Sequence, residues 1–334
     1  MTALNYINPE YIDKITVKRP GEPRLGEALS LITSKKDLHT SKARYLIVGI
    51  PEDIGIRANG GRPGAAKTWD AFLKHFCSLP VSKNSPLAQV ALLGSIECND
   101  LMVESLTLDW RDKNDQNTFD QLILTLDKRV EQVLQPLIAL GYIPLVIGGG
   151  HNNACGLLKA SSAALNQAMN CLNIDAHTDL RNDHYRHSGN GFQRALLDKN
   201  LFKYGIFGLH EHTLSRGIMD LIEEKNDQII YFTLNKWLDT SCEARNDLFK
   251  RWVEPILQNQ FGLELDLDAI ANMGSSAQSP DGLSLAEVRT IVRILAGHKN
   301  LRYIHLCEGA PELGLYPSQV VKTISTLCLD LLRQ

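Results

Sequence analysis

Cys171-Leu172-Asn173-Ile174-Asp175-Ala176-His177-Thr178-Asp179 runs from a short apolar stretch straight into two carboxylates and an imidazole placed at every second position. The stretch 171–174 reads as a strand buried on both faces. Where the backbone stays extended, residues i, i+2 and i+4 share a side, so Asp175, His177 and Asp179 enter one pocket. Burying two carboxylates and an imidazole unpaired is costly, and a divalent cation removes that cost. A solvent-exposed polar loop is the plainer reading, but it sits poorly directly after a buried strand.

Outward from this stretch, short apolar runs alternate with helical patterns. Strands are predicted at 45–49, 90–93, 143–147, 171–174, 205–208, 229–232, 262–265 and 303–306. Apolar residues recur at three- and four-residue spacings over 119–140, 243–258, 285–296 and 318–332. Ser284 with Glu287 forms a capping box that starts one of these helices. Repeated β-α units predict an α/β fold, a largely parallel sheet with helices on both faces. Residues 1–42 are polar and irregular, with one helix expected near 25–34, and read as an N-terminal extension packed on a main domain of residues 43–334.

In open parallel sheets ligands bind beyond the carboxyl ends of the strands. Two further clusters fall there. Gly148-Gly149-Gly150-His151-Asn152-Asn153 follows 143–147. Read alone, it is more simply a glycine turn with an incidental histidine, and no Gly-Lys-Ser/Thr follows to make it a phosphate loop. Asp266-Leu267-Asp268 ends 262–265; a lone pair of this kind often sits in a turn or caps a helix. Taken together, His151, Asp175, His177, Asp179, Asp266 and Asp268 supply more donors than a catalytic zinc site of about three protein ligands needs. They suit two cations sharing carboxylates, and oxygen-rich ligation without thiolate points to Mn(II), two per chain. Two metals about 3.5–4 Å apart activate one bridging water as hydroxide.

The remaining features mostly exclude. A formal net charge of −3 gives no reason to expect a nucleic-acid or anionic-membrane partner. There is no long apolar run to span a bilayer, and the N-terminal stretch has no secretory h-region. Seven scattered cysteines without a CxxC pair suit reduced thiols, and a cytoplasmic location is expected.

The three clusters, in this order after successive strands, resemble the signatures of the ureohydrolase (arginase-like) family: Gly-Gly-Asp-His-Ser, Asp-Ala-His-x-Asp and Asp-x-Asp-x-x-Asp-Pro. The resemblance spans roughly residues 44–330, and the middle motif matches completely. It implies a single three-layer α/β/α domain with a mostly parallel sheet of about eight strands, and self-association into a homo-oligomer. It also implies one manganese on His151, Asp175, Asp179 and Asp266, and another on His177, Asp175, Asp266 and Asp268, with Asp175 and Asp266 bridging. Asp179 would orient the bridging hydroxide. Glu308 would pair with the substrate's amidino or guanidino cation; a helix-start glutamate is its plainer reading. Two departures stand out. Gly150-His151-Asn152 replaces Asp-His-Ser, and Asp268-Ala269-Ile270-Ala271-Asn272 lacks the later Asp-Pro.

Three segments are similar to the formimidoylglutamase branch. They are the glycine- and arginine-rich stretch from Gly49 to Ala65, Asp179-Leu180-Arg181, and His187-Ser188-Gly189-Asn190-Gly191-Phe192. This branch implies hydrolysis of N-formimidoyl-L-glutamate to L-glutamate and formamide. Arg57, Arg62 and Arg181 are then candidates for the substrate carboxylates, each with a structural salt bridge as the alternative. Ser188 and Asn190 are candidates in the substrate loop. His187 is a candidate proton shuttle with His184 as competitor, and His210 and His212 are expected in the pocket wall. Other guanidino or amidino acids, of the arginase, agmatinase or guanidinobutyrase type, stay open as substrates. So do a non-catalytic metal-binding protein and a mononuclear zinc deacetylase.

Overall fold

All eight apolar runs are strands, and their alternate side chains feed two separate cores. The computed structural model describes residues 3–332. In chain order the strands are β1 Leu4–Tyr6, β2 Ser30–Leu31, β3 Tyr45–Gly49, β4 Val90–Ile96, β5 Ile143–Ile147, β6 Met169–Ile174, β7 Leu201–Leu209, β8 Ile229–Thr233, β9 Phe261–Asp266 and β10 Leu301–Cys307. They form one sheet in the order β1-β4-β3-β5-β10-β9-β6-β7-β8, with β2 also paired to β4. Every pairing is parallel except β1 with β4.

Every residue of β3, β5, β6 and β9 is buried, as a sheet covered on both faces requires. Tyr45 and Ile47 pack into one core, with Trp69, Phe72, Phe249, Val288 and Ile324 from the helices Thr68–Cys77, Cys242–Leu257, Leu285–Leu295 and Gln319–Leu331. Leu46 and Val48 pack into the other, with Leu126, Val130 and Leu157 from the helices Lys113–Ala139 and Asn153–Leu165. The result is three layers, helix on sheet on helix.

The sheet has ten strands rather than about eight because residues before 43 add β1 and β2. Both cover the outer edge of β4: β2 pairs with Ala91 and Leu92, and β1 with Gly94 to Ile96. Covering an edge in this way removes a row of unpaired backbone groups. The helix expected near 25–34 is broken. Leu25–Ala28 is helical, β2 follows, and a second helix spans Lys35–Thr40. Leu25 and Leu29 bury in one core and Ile32 in the other, so the chain crosses the sheet edge there, which a single helix cannot do. The helix Lys113–Ala139 starts before its apolar pattern does, because the Asp112 side chain caps it by accepting from the Asn114 and Asp115 N–H groups at 2.8 and 3.1 Å.

Candidate functional site

β5, β10, β9 and β6 are neighbours in the sheet, and each delivers an acid or imidazole at or just beyond its carboxyl end: His151, Glu308, Asp266 and Asp175. The chain leaves β5, skips two strand positions to form β6, and fills them last with β9 and β10. A site at such a break in strand order is where open α/β sheets bind ligands.

Gly148 and Gly149 turn the chain out of β5 at φ of +84° and +82°. A Cβ on Gly149 would stand 2.5 Å from Asn153 Nδ2, so only glycine makes this approach without strain. His151 follows, 1 % exposed. Its Nδ1 lies 3.3 Å from Asp175 Oδ2, 2.9 Å from Asp179 Oδ2 and 3.2 Å from Asp266 Oδ2. Among the described residues neither ring nitrogen has a hydrogen-bond partner, and one nitrogen carries at most one proton for three carboxylates. In a second group, His177 Nδ1 is 3.5 Å from both Asp175 Oδ1 and Asp268 Oδ2. Asp268 Oδ1 is buried without a partner. The candidate donor atoms of each group lie within 4.8 Å of one another. Asp175 belongs to both groups, whereas Asp266 stands only in the first.

The electrostatics show a deficit of positive charge. Burial, and then the charges of Asp268 and Asp175, push the Asp266 carboxyl well up. Asp179 is raised by burial and by Asp175. Burial lifts Glu308 to about 8, although the Ser276 hydroxyl and the His151 N–H both donate to it. Asp175 moves the other way: burial opposes it, but His151 and His177 hold it low. Orphaned buried atoms and mutually repelling acids are what a site built around divalent cations leaves when the cations are taken out of account. The donor set of carboxylates and imidazoles fits hard or borderline cations. Cys307 touches the first group, but burial keeps its thiol well up, and its Sγ–H faces the Leu265 carbonyl at 3.6 Å. Asp179 and Glu308 also hold φ of +50° and +61°, strain of the kind that concentrates at functional positions.

Above these groups opens a cleft of about 340 Å³, lined among others by Asn59, His177, Asp179, Arg181, Ser188, Thr213, Asp266, Asp268, Ser276 and Glu308. That size suits a small substrate. A larger apolar groove, lined by Met219, Tyr231 and Trp252, lies along β8 and contains none of the clustered donors.

Of the candidates for substrate contact, Arg181 and Ser188 line the cleft, and Arg57, Arg62, Asn190 and His187 do not. Arg57 Nε pairs with Asp53 Oδ1 at 2.6 Å. Arg62 donates to the Ser276 carbonyl and to Gln278 Oε1, so it braces the segment that carries Ser276. Asn190 ties its own loop together by accepting from the His187 N–H and donating to the Tyr185 carbonyl. His187 is not placed as a proton shuttle: it is 1 % exposed, and both its nitrogens are engaged, by Asp183 at 2.6 Å and by the Gly189 N–H at 3.1 Å. His184 is exposed and packs on Tyr185. His210 is buried and His212 exposed, their rings 5.2 Å apart, and neither lines the cleft.

Asn59, Thr213 and Ser276 face the cleft without belonging to a chemically loaded motif. Glu52 answers the Gly150 and Asn152 departures. Fully buried, its Oε1 accepts from the Gly150 N–H at 2.8 Å and from Asn153 Nδ2 at 2.5 Å, while Oε2 accepts from the Ile54 N–H at 2.7 Å. A carboxylate from position 52 therefore braces the loop that lacks one at position 150. The signal for Glu264 and His305 was present in the sequence: each is a titratable residue in the middle of a mostly apolar strand.

A sheet of this order with paired acid and imidazole groups beyond its central strands defines a hydrolase of the arginase fold. The chain belongs to the arginase family, whose sequence profile matches residues 43–332. Its relatives include the formimidoylglutamase of Geobacillus thermodenitrificans, 28% identical over 316 residues that cover 92% of this chain and 90% of that one. The formimidoylglutamase of Chromobacterium violaceum is 28% identical over 278 residues, 80% of this chain and 81% of that one. The structure superposes on Bacillus subtilis formimidoylglutamase with a TM-score of 0.76 at 15% identity, covering 95% of this chain and 93% of that one. On Trypanosoma cruzi formiminoglutamase, solved with Mn2+, the TM-score is 0.71 at 20% identity, covering 93% and 98%. Among the described residues, no helix is long and apolar enough to cross a membrane.

Proposed function

We propose that this enzyme hydrolyses a C–N bond of a linear amidine, with N-formimidoyl-L-glutamate as its first substrate and L-glutamate and formamide as products. The observation that carries the reading is the pair of donor groups sharing Asp175 on the floor of a cleft that also holds Glu308 and Arg181. His151, Asp175, Asp179 and Asp266 would hold one divalent cation, and Asp175, His177 and Asp268 the other; manganese in a structural neighbour supports Mn(II). When bound, such a pair supplies a water nucleophile at neutral pH and Lewis-acid polarisation.

The chain's own residues do the rest. Glu308, fixed at Oε1 by the His151 N–H and at Oε2 by Ser276, presents its carboxylate to the amidinium. An amidinium beside it supplies the opposite charge that its burial calls for. Asp179 faces the cleft and accepts a proton as water adds to the amidine carbon. With His187 turned away, Asp179 also returns that proton to the leaving nitrogen. Arg181 offers a bidentate partner to a substrate carboxylate, and Ser188 and Asn59, joined at 3.1 Å, line the same wall.

Arg181 is the one arginine or lysine lining the cleft among the described residues, which favours a monoanionic amidino or guanidino acid as the second reading. Protein reconstituted with Mn(II) decides between them. Release of formamide and glutamate from N-formimidoyl-L-glutamate, without turnover of arginine, agmatine or guanidinobutyrate, supports the first. Preference for a monoanionic acid replaces it, and absence of turnover on all four overturns hydrolysis of these amidines.

A further inference from the structure

β9 and β10 each bury a charged or titratable side chain in the middle of the strand, among mostly apolar neighbours: Glu264 and His305. Both are 0 % exposed. They are register partners across the parallel pair, and His305 Nδ1 meets Glu264 Oε2 at 2.6 Å. His305 Nε2 lies 3.1 Å from the Gly148 carbonyl, at the start of the turn that carries His151. A carbonyl and an ionised carboxylate only accept, so both His305 nitrogens carry a proton and donate, Nδ1 to Glu264 and Nε2 to Gly148.

On its other side Glu264 Oε2 is 3.6 Å from His151 Nε2. Two buried atoms here have no partner, His151 Nε2 and Glu264 Oε1. One can donate and the other accepts, and they belong to adjacent side chains. Meanwhile His151 Nδ1 faces Asp175, Asp179 and Asp266. The ring thus has one nitrogen among the proposed cation donors and the other against a carboxylate that is itself anchored.

We infer that Glu264 and His305 are a positioning pair for His151: Glu264 takes the His151 Nε2–H, fixes the tautomer that leaves Nδ1 free to bind a cation, and is itself held in place by His305. The inference rests on the reading of His151 as a metal ligand. A carboxylate behind a ligating imidazole orients the ring and raises its basicity, and losing such a partner typically costs about 10–100-fold in metal affinity. The circuit closes on itself, because the second His305 donor goes to the Gly148 carbonyl, three residues before His151. Burying a glutamate and a histidine in the centre of a sheet is costly, and their mutual contact offsets that cost while leaving Glu264 Oε1 without a partner among the described residues.

The test is manganese binding by the metal-free protein, followed by electron paramagnetic resonance of the free ion, alongside thermal melting of the metal-free form. Wild type is expected to take two manganese ions. Glu264→Gln should lose affinity for one of them by about 10–100-fold while its metal-free melting temperature stays near that of wild type. His305→Gln, which keeps a donor toward Glu264, should give a smaller loss at the same ion. Wild-type affinity for both ions in Glu264→Gln overturns the inference. So does an equal loss at both ions with lowered melting, which marks general damage to the sheet. Where Glu264→Gln does not fold, Glu264→Asp decides: it keeps the charge but withdraws it from His151, and unchanged binding of both ions overturns the pairing. Failure of wild type to bind manganese would show instead that the metal reading of the site is wrong.

Discussion

The two imidazoles at the centre of the site have the same chemistry and different surroundings. The His151 side chain is 1% exposed, ringed by three carboxylates on one side, Glu264 on another and the edge of Phe192 at 5.1 Å. The His177 side chain is 38% exposed, has two carboxylate neighbours and lines the cleft. The deep half is over-determined by packing and outer contacts, while the shallow half faces the place where substrate and water enter. On the proposed reading, burial would divide the labour of one donor cluster, with one half retaining a cation and the other presenting one.

The largest effect should come from the residue the two halves share. Asp175→Asn is expected to lower metal binding at both positions and hydrolysis by more than about 100-fold, beyond what an outer partner costs. Metal analysis after gel filtration, with an activity assay beside it, checks this; retention of both cations would show that the halves do not depend on Asp175.

Next comes the contrast itself. Dialysis of the manganese-loaded protein against a chelator should release one ion well before the other. His177→Asn should speed loss of the early ion, and His151→Asn should remove the late one. Simultaneous release of both would break the distinction between deep and shallow halves.

A smaller effect is expected from the shallow wall. Arg181→Met should raise KM for a carboxylate-bearing amidine about 10–100-fold, the value of a charge-assisted hydrogen bond, with kcat changed less. An uncharged amidine should show no such rise.

The smallest concerns the loop beneath that wall. Burial, and then the Arg181 charge, hold His187 down at about 4 from an ordinary 6.5. The unfolded chain therefore binds the proton first, so the stability tied to neutral His187 is present above about 6.5 and lost as pH falls toward about 4. Denaturation midpoints at pH 7 and pH 5 should show wild type losing about 1–2 kcal/mol more than His187→Gln; an equal loss would mean the histidine is not held neutral.

Much of this was legible in the chain. Periodicity located all eight core strands, because strands enclosed on both faces are mostly apolar. Asp175, His177 and Asp179 were legible as a cluster because they directly follow a buried strand, although the chain bends after Ile174 and Asp179 turns to φ of +50° rather than staying extended. The path of residues 25–40 was not, since Leu25, Leu29 and Ile32 suit a helix as well as a crossing of the sheet edge. Arg57 and Arg62 misled for a related reason. Composition marks an arginine as a carboxylate partner, but Asp53 and the Ser276 carbonyl claimed them first. His187 reads as a free imidazole until its neighbours Asp183 and Gly189 are seen to occupy both nitrogens.

By itself the sequence determined the α/β architecture, the six clustered donors and the strand ends they follow, because those depend on spacing within one segment. Only the tertiary structure decided that β9 and β10 insert between β5 and β6, and so bring His151 against Glu264 and Asp175. It alone decided that Glu52 supplies the carboxylate missing at position 150 and that, among the described residues, a single arginine reaches the cleft. These contacts join residues far apart in the chain, and which partner a buried polar group finds is set by the packing that brings the two together.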